Sequence, residues 1–141
     1  MKKNWLVVLM ISIYLTSCGI LPGSGGNELE GTAWTLVSYD GKSLIEASSM
    51  TAQFNDVQVS GSASCNHYFG GYKIRGTQIQ IEGLGWTEMA CMDPEGIMQQ
   101  EQELMLLFSK ADVISRQGNI LRITTTSGEI LIFNQTGAGS D

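Results

Sequence analysis

The chain has 141 residues, 14 acidic and 8 basic, for a formal net charge of −6. That length suits one domain with a real core, and the negative charge makes nucleic acid a poor partner, because phosphate binding needs a basic patch. A polybasic hold on a lipid surface is excluded on the same ground.

"MKKN" is a basic leader, and Trp5 to Leu15 is an apolar run of 11 residues. The run is too short to span a bilayer as a mature helix and reads as the apolar part of an export signal. Leu15, Thr16, Ser17 and Cys18 then fill the four places of the bacterial lipoprotein cleavage box, so the segment resembles a lipoprotein signal. The resemblance implies cleavage before Cys18, a diacylglycerol on its thiol and acylation of its amine; two or more chains suffice for stable anchoring. The competing reading is a plain secretory signal cut near Ser17, with Cys18 left free. Residues 1–17 are thus a signal peptide, and 18–28 a lipid-anchored tether rich in Gly, Ser and Pro ("GILPGSGGNE" from Gly19). The domain runs over 29–135, and 136–141, "TGAGSD", form a flexible tail. The processed chain has 124 residues, with 6 basic against 14 acidic and a net charge of about −8. Gly19 stands where an aspartate commonly retains lipoproteins in the inner membrane, so in a cell with two membranes the outer membrane, facing the periplasm, is the expected location.

Short strands broken by turn signals follow. Thr32 to Tyr39 ends at the turn pair Asp40-Gly41; Met50 to Phe54 and Val57 to Gly61 flank Asn55-Asp56 and form a hairpin. "SASCNHYFGGYK" (Ser62 to Lys73) comes next and places Cys65, Asn66, His67 and Tyr68 before a Gly-Gly turn. There are three cysteines. With Cys18 given to the lipid, Cys65 and Cys91 are left in a compartment that permits disulfides, and a bond between them is the first reading. Two others compete. A nucleophile with its base would be Cys65 and His67, which share a face on a strand, but nothing supplies a third, orienting group. A copper(I) or redox site would draw on Cys65, His67, Met89, Cys91 and Met92, soft ligands without C-x-x-C spacing.

In "YKIRGTQIQIEG", Ile79 and Ile81 alternate with Gln78, Gln80 and Glu82, which predicts a half-buried strand. A helix interrupts the strands: Asp93 fits its N-cap and Pro94 its first position, and Ile97, Glu101, Leu104, Leu107, Phe108 and Ala111 fall on one face. Glu101 is the misfit in that stripe and needs a partner if buried, or water at the helix edge. Three strands close the domain: "DVISR", "ILRITTT" with Leu121, Ile123 and Thr125 on one side, and Ile130 to Phe133, apolar on both sides and so central or covered.

Taken in order, "GTAWTLVSYDGK", "VSGSASCNHYFGGYK", "TEMACM", "MQQEQELMLLF" and "LIF" resemble the META domain, the HslJ-like family of small bacterial envelope proteins, across residues 31–133. Trp34, Asn66, Tyr68, Tyr72, Met89, Ala90 and Glu101 lie in the matching motifs. The family usually has glycine before its first cysteine and often a basic residue after the asparagine; Ser64 and His67 stand there in this chain. The resemblance implies a mainly β, α+β fold: a strongly bent antiparallel sheet or open barrel with one helix packed on it, and a disulfide joining the two cysteine segments. It implies no catalytic residues, metal or cofactor, and it links the family to heat or envelope stress, drug tolerance and secretion.

The first functional reading is a non-enzymatic, membrane-tethered module binding an envelope protein, or an apolar ligand in the barrel mouth, through Tyr68, Phe69, Trp86 and Met89. Two readings compete with it: a hydrolase using Cys65 with His67 or Glu88 with Asp93, and the copper(I) or redox protein above.

Overall fold

The computed structural model describes residues 28–138. The signal segment, Cys18, the tether as far as residue 27 and residues 139–141 lie outside the described residues.

Nine strands and one helix are described: β1 (Thr32–Tyr39), β2 (Lys42–Ser43), β3 (Thr51–Phe54), β4 (Gln58–Ser62), β5 (His67–Arg75), β6 (Gln78–Trp86), α1 (Ile97–Ser109), β7 (Ala111–Gln117), β8 (Ile120–Thr125) and β9 (Ile130–Ala138). Neighbouring strands are antiparallel in the order β2-β1-β3-β4-β5-β6-β7-β8-β9, and β1 also pairs with β9, for example Leu36 with Phe133. That pairing closes eight strands into a barrel, with β2 a short addition to β1. The expected mainly β fold with one packed helix is what forms, and its sheet closes into a barrel in which β6 and β7 are joined at a single residue pair, Gln78 with Val113.

Alternation explains the closure. Leu36 on β1, Leu121 and Ile123 on β8, and Leu131 and Phe133 on β9 all point inward and are buried, while Arg122 stays outside. With Trp34, Phe54, Tyr68 and Phe108 they fill the interior, so the barrel is a packed core and not a channel. Gly61 marks a close crossing of β3 and β4: a Cβ there would lie 2.0 Å from the Thr51 carbonyl oxygen.

Several local expectations change. Gly70-Gly71 is no turn but lies within β5, where the register with β6 shifts between Phe69 and Gly71. A Cβ on Gly70 would sit 3.1 Å from the Glu82 carbonyl oxygen, so glycine there serves close approach. The segment around Ile79 and Ile81 is two strands, split by a turn at Gly76. The helix begins at Ile97 and not at Pro94, because Gly96 has φ +83°, which no interior helical residue adopts. Ala111 opens β7, and β9 runs three residues past 135, with Ala138 opposite Thr32.

α1 covers one end of the barrel. Its Gln100 accepts from the Ile45 amide at 2.7 Å and donates to Ser48 Oγ at 2.9 Å, and its Glu103 pairs with Lys42 at 2.6 Å. At the opposite end Leu29 is buried, and Arg116 donates to the Glu28 carbonyl at 2.7 Å while standing 5.3 Å from the Trp34 ring. No described helix is long and apolar enough to cross a membrane.

Candidate functional site

Asn66 is the hub of the α1 end. It lies in the loop before β5, after Ser64, whose φ of +98° explains why glycine suits that place. Glu101, one turn into α1, points at this loop and is 2% exposed. Its carboxylate accepts from the Cys65 amide at 3.0 Å, the Asn66 amide at 2.7 Å and Asn66 Nδ2 at 2.5 Å. The misfit in the apolar stripe is thus a buried carboxylate satisfied by three donors, two of them backbone.

Asn66 also holds the segment after β6. Its Oδ1 accepts from Thr87 Oγ1 and from the Met89 amide, both at 2.7 Å, and its Nδ2 donates to the Met89 carbonyl at 3.1 Å. Cys65 and Cys91 are joined by a disulfide with their Cα atoms 5.9 Å apart, a second tie between the same two segments. Three elements, the β4–β5 loop, the segment after β6 and α1, therefore meet on two adjacent residues.

The other motif residues support the barrel. Tyr68 is 1% exposed and its hydroxyl donates to the Thr51 carbonyl at 2.6 Å; burial pushes its phenol well above the ordinary range, so it stays a neutral donor. Tyr72 donates to the Asn55 carbonyl at 2.6 Å and meets Phe54 edge-on at 5.0 Å. The Trp34 indole donates to Thr32 Oγ1 at 2.7 Å. Ala90 is exposed. Gln100 and Thr87 were not expected to take part: "MQQEQE" gives no reason to single out one glutamine, and Thr87 follows a strand without any periodic signal.

This arrangement holds parts together and leaves little for chemistry. With Cys65 bonded to Cys91, neither sulfur is a nucleophile or a thiolate ligand. His67 and Glu88 are exposed, as is Asp93. No three His, Cys, Asp or Glu side chains among the described residues converge to hold a metal. The oxidised pair removes the ligands on which the copper(I) reading depended.

Beside the clasp lies an apolar surface. Phe69 is 53% exposed and packs over Gly85 on the outside of the barrel; Trp86, Met89 and Leu106 are about half exposed and Met92 almost wholly. Tyr68, expected in this group, is in the core instead, because successive strand residues face opposite ways and His67 and Phe69 take the outside. A groove runs between β6 and α1. One part, about 340 Å³, is lined by Leu84, Trp86, Met105 and Leu106 among others; the next, about 210 Å³, shares Trp86 and Met105 and reaches Glu88, Met89 and Met98. At the far end of the barrel an open cavity of about 620 Å³ is rimmed by Asp56, Lys73, Arg75 and Arg116.

Comparison with known proteins gives the following. The META domain pattern matches residues 27–138, most of the chain. A solved structure of a protein from Burkholderia xenovorans, determined by NMR, is similar with TM-score 0.64 and 23% identity, over 77% of this chain and 83% of that one. A second NMR structure has TM-score 0.61 and 21% identity, over 75% and 90%. A DUF4847 family protein from Bacteroides vulgatus has TM-score 0.56 and 11% identity, over 81% and 97%. At these identities the structures share the fold with this chain. No curated protein matches it.

Proposed function

The chain belongs to the META domain family, and on that footing we propose that it is a lipid-anchored, non-enzymatic binding module of the bacterial envelope that presents the α1 end of its barrel to a protein partner. The observation that carries the proposal is the half-exposed group Phe69, Trp86, Met89 and Leu106, set around a clasp whose polar groups are already satisfied. Apolar side chains held out on a braced frame are what a protein interface needs. An apolar ligand fits less well, since side chains fill the barrel interior. A role in heat or envelope stress, drug tolerance or secretion rests on the family resemblance alone.

Anchoring rests on the lipoprotein box at Cys18. Nine residues separate Cys18 from Glu28, a reach of about 35 Å when fully extended. Glu28 enters at the end opposite α1, which leaves the α1 end free to turn from an outer-membrane leaflet toward the periplasm. Cys18→Ala is expected to abolish palmitate incorporation while the domain still folds. Label that persists in the variant overturns the anchor.

The partner face is tested with a photoreactive amino acid placed at Trp86 or Met89, and at Arg122 on the outside of β8 as control. A discrete protein adduct is expected in native membranes from the first two positions and not from the third. Equal labelling from all three, or none, defeats the reading.

A further inference from the structure

β6 has an unpaired edge. It pairs with β5 along its whole length, from Arg75–Gln78 to Tyr68–Trp86, but with β7 only at Gln78–Val113. Beyond that point α1 and not a strand lies beside it, with the groove between them.

The backbone direction along this edge follows from the register. The Thr87 amide donates to the His67 carbonyl at 2.9 Å, so Thr87, and by alternation Gly85, faces β5. The N–H and C=O groups of Leu84 and Trp86 therefore face α1, where no strand pairs with them. Gly83, at φ +58°, interrupts the strand just before them. Such an irregularity discourages pairing along a whole edge, and here it confines any added strand to Leu84–Trp86, the stretch beside the clasp.

Charge selects what could be added. From Trp86 to Leu104 the chain carries five carboxylates and no lysine or arginine. Glu101 is consumed by the clasp and Glu103 by Lys42, which leaves Glu88, Asp93 and Glu95 exposed. Glu88 lines the groove directly. The groove wall is methionine-rich, and methionine accepts apolar side chains of varied shape.

Resting on the reading that the α1 end receives a protein, we propose that the occupant is an extended, basic segment of that partner, which hydrogen-bonds to the Leu84–Trp86 edge of β6 as a short added strand. Its inward side chains rest on Met105 and Leu106, and its lysines or arginines reach Glu88. Strand addition of this kind draws affinity from main-chain bonds and specificity from alternate side chains. The partner is selected by extended conformation and positive charge more than by one side-chain sequence.

The test uses the full chain in phosphatidylcholine nanodiscs and the amidated peptide Lys-Val-Lys-Val-Thr-Val-Lys. Amide exchange at Leu84 and Trp86 is expected to slow at least tenfold at saturating peptide. N-methylation of alternate peptide amides, which removes donors and keeps charge and side chains, should weaken binding at least tenfold, and glutamates in place of the lysines should do the same. Glu88→Lys should weaken the parent peptide at least fivefold. Binding that leaves Leu84 and Trp86 exchange unchanged, or that survives both sets of N-methylated peptides, sinks strand addition while photoadducts from Trp86 and Met89 would still support a protein interface. Absence of binding overturns the proposal as well. So does protection without peptide that rises with protein concentration, which makes a second copy the occupant, or that appears only with phosphatidylglycerol in the disc, which makes it the membrane.

Discussion

Glu101→Leu is expected to lower the stability of the domain by about 3 to 5 kcal/mol. Leucine matches the apolar stripe of α1 better than glutamate does, and a view of the helix alone would count the change as favourable. The side chain does not face a lipid-like core, however. It faces the Cys65 amide, the Asn66 amide and Asn66 Nδ2, all within 3.0 Å. Removing the carboxylate leaves these donors without their acceptor in a site where the residue itself is 2% exposed. Glu101→Gln keeps one oxygen but turns an amide nitrogen toward one set of donors, so an intermediate loss is expected. Glu103→Leu is the control: its pair with Lys42 is exposed, and such pairs contribute under about 1 kcal/mol. Urea midpoints of the three variants, with the disulfide intact, check the order. A loss for Glu101→Leu no larger than that for Glu103→Leu would show that the clasp does not hold the α1 end.

Glu101 also shows where the sequence was legible and where it was not. Alternation made β6 and β8 readable, because one face of each must be buried and a slip of one residue would reverse every side chain; β1 was bounded by its Asp40-Gly41 turn, and β9 was read from its apolar run. The polar residue in the helix stripe announced a buried partner, but its identity depended on a loop 35 residues away, and no local pattern encodes that pairing. β2, only two residues long, has no periodicity to read. Gly70-Gly71 has the composition of a turn, yet it lies inside β5, where a Cβ on Gly70 would meet the Glu82 carbonyl at a tight 3.1 Å. The same composition signals a turn or a close approach, and only the register distinguishes them. At the helix entry, Asp93-Pro94 has the chemistry of an N-terminus, but the left-handed Gly96 postpones the first turn to Ile97. The apolar surface was legible as a group of residue types, and strand parity then divided it, sending Tyr68 inward and Phe69 outward.

Cys65→Ser with Cys91→Ser is expected to destabilise the domain by about 2 to 5 kcal/mol, centred near the 3.5 kcal/mol that chain entropy gives for cysteines 26 residues apart. The geometry says which part loosens. The β4–β5 loop keeps its tie to α1 through Glu101, and the segment after β6 keeps its bonds to Asn66 as far as Met89. Beyond Met89 the disulfide carries the link to the loop, and a contact from the Cys91 amide to Met98 Sδ at 3.4 Å ties the segment to α1. Loss of the bond should therefore free residues 90–96 and the first turn of α1 while the barrel strands keep their protection. Hydrogen exchange should accelerate at Ile97 and Met98 and hardly at all in β8. Because the bond and the Glu101 carboxylate act on adjacent residues, their effects should not add. Once either is gone the loop is already loosened, so the combined loss is expected to fall short of the sum by about 1 kcal/mol or more. Urea midpoints for the cysteine double mutant, for Glu101→Gln and for their combination measure this directly. Strict additivity would mean that the staple and the clasp brace separate parts of the fold, and unchanged stability on losing the cysteines would return them to the list of candidate reactive groups.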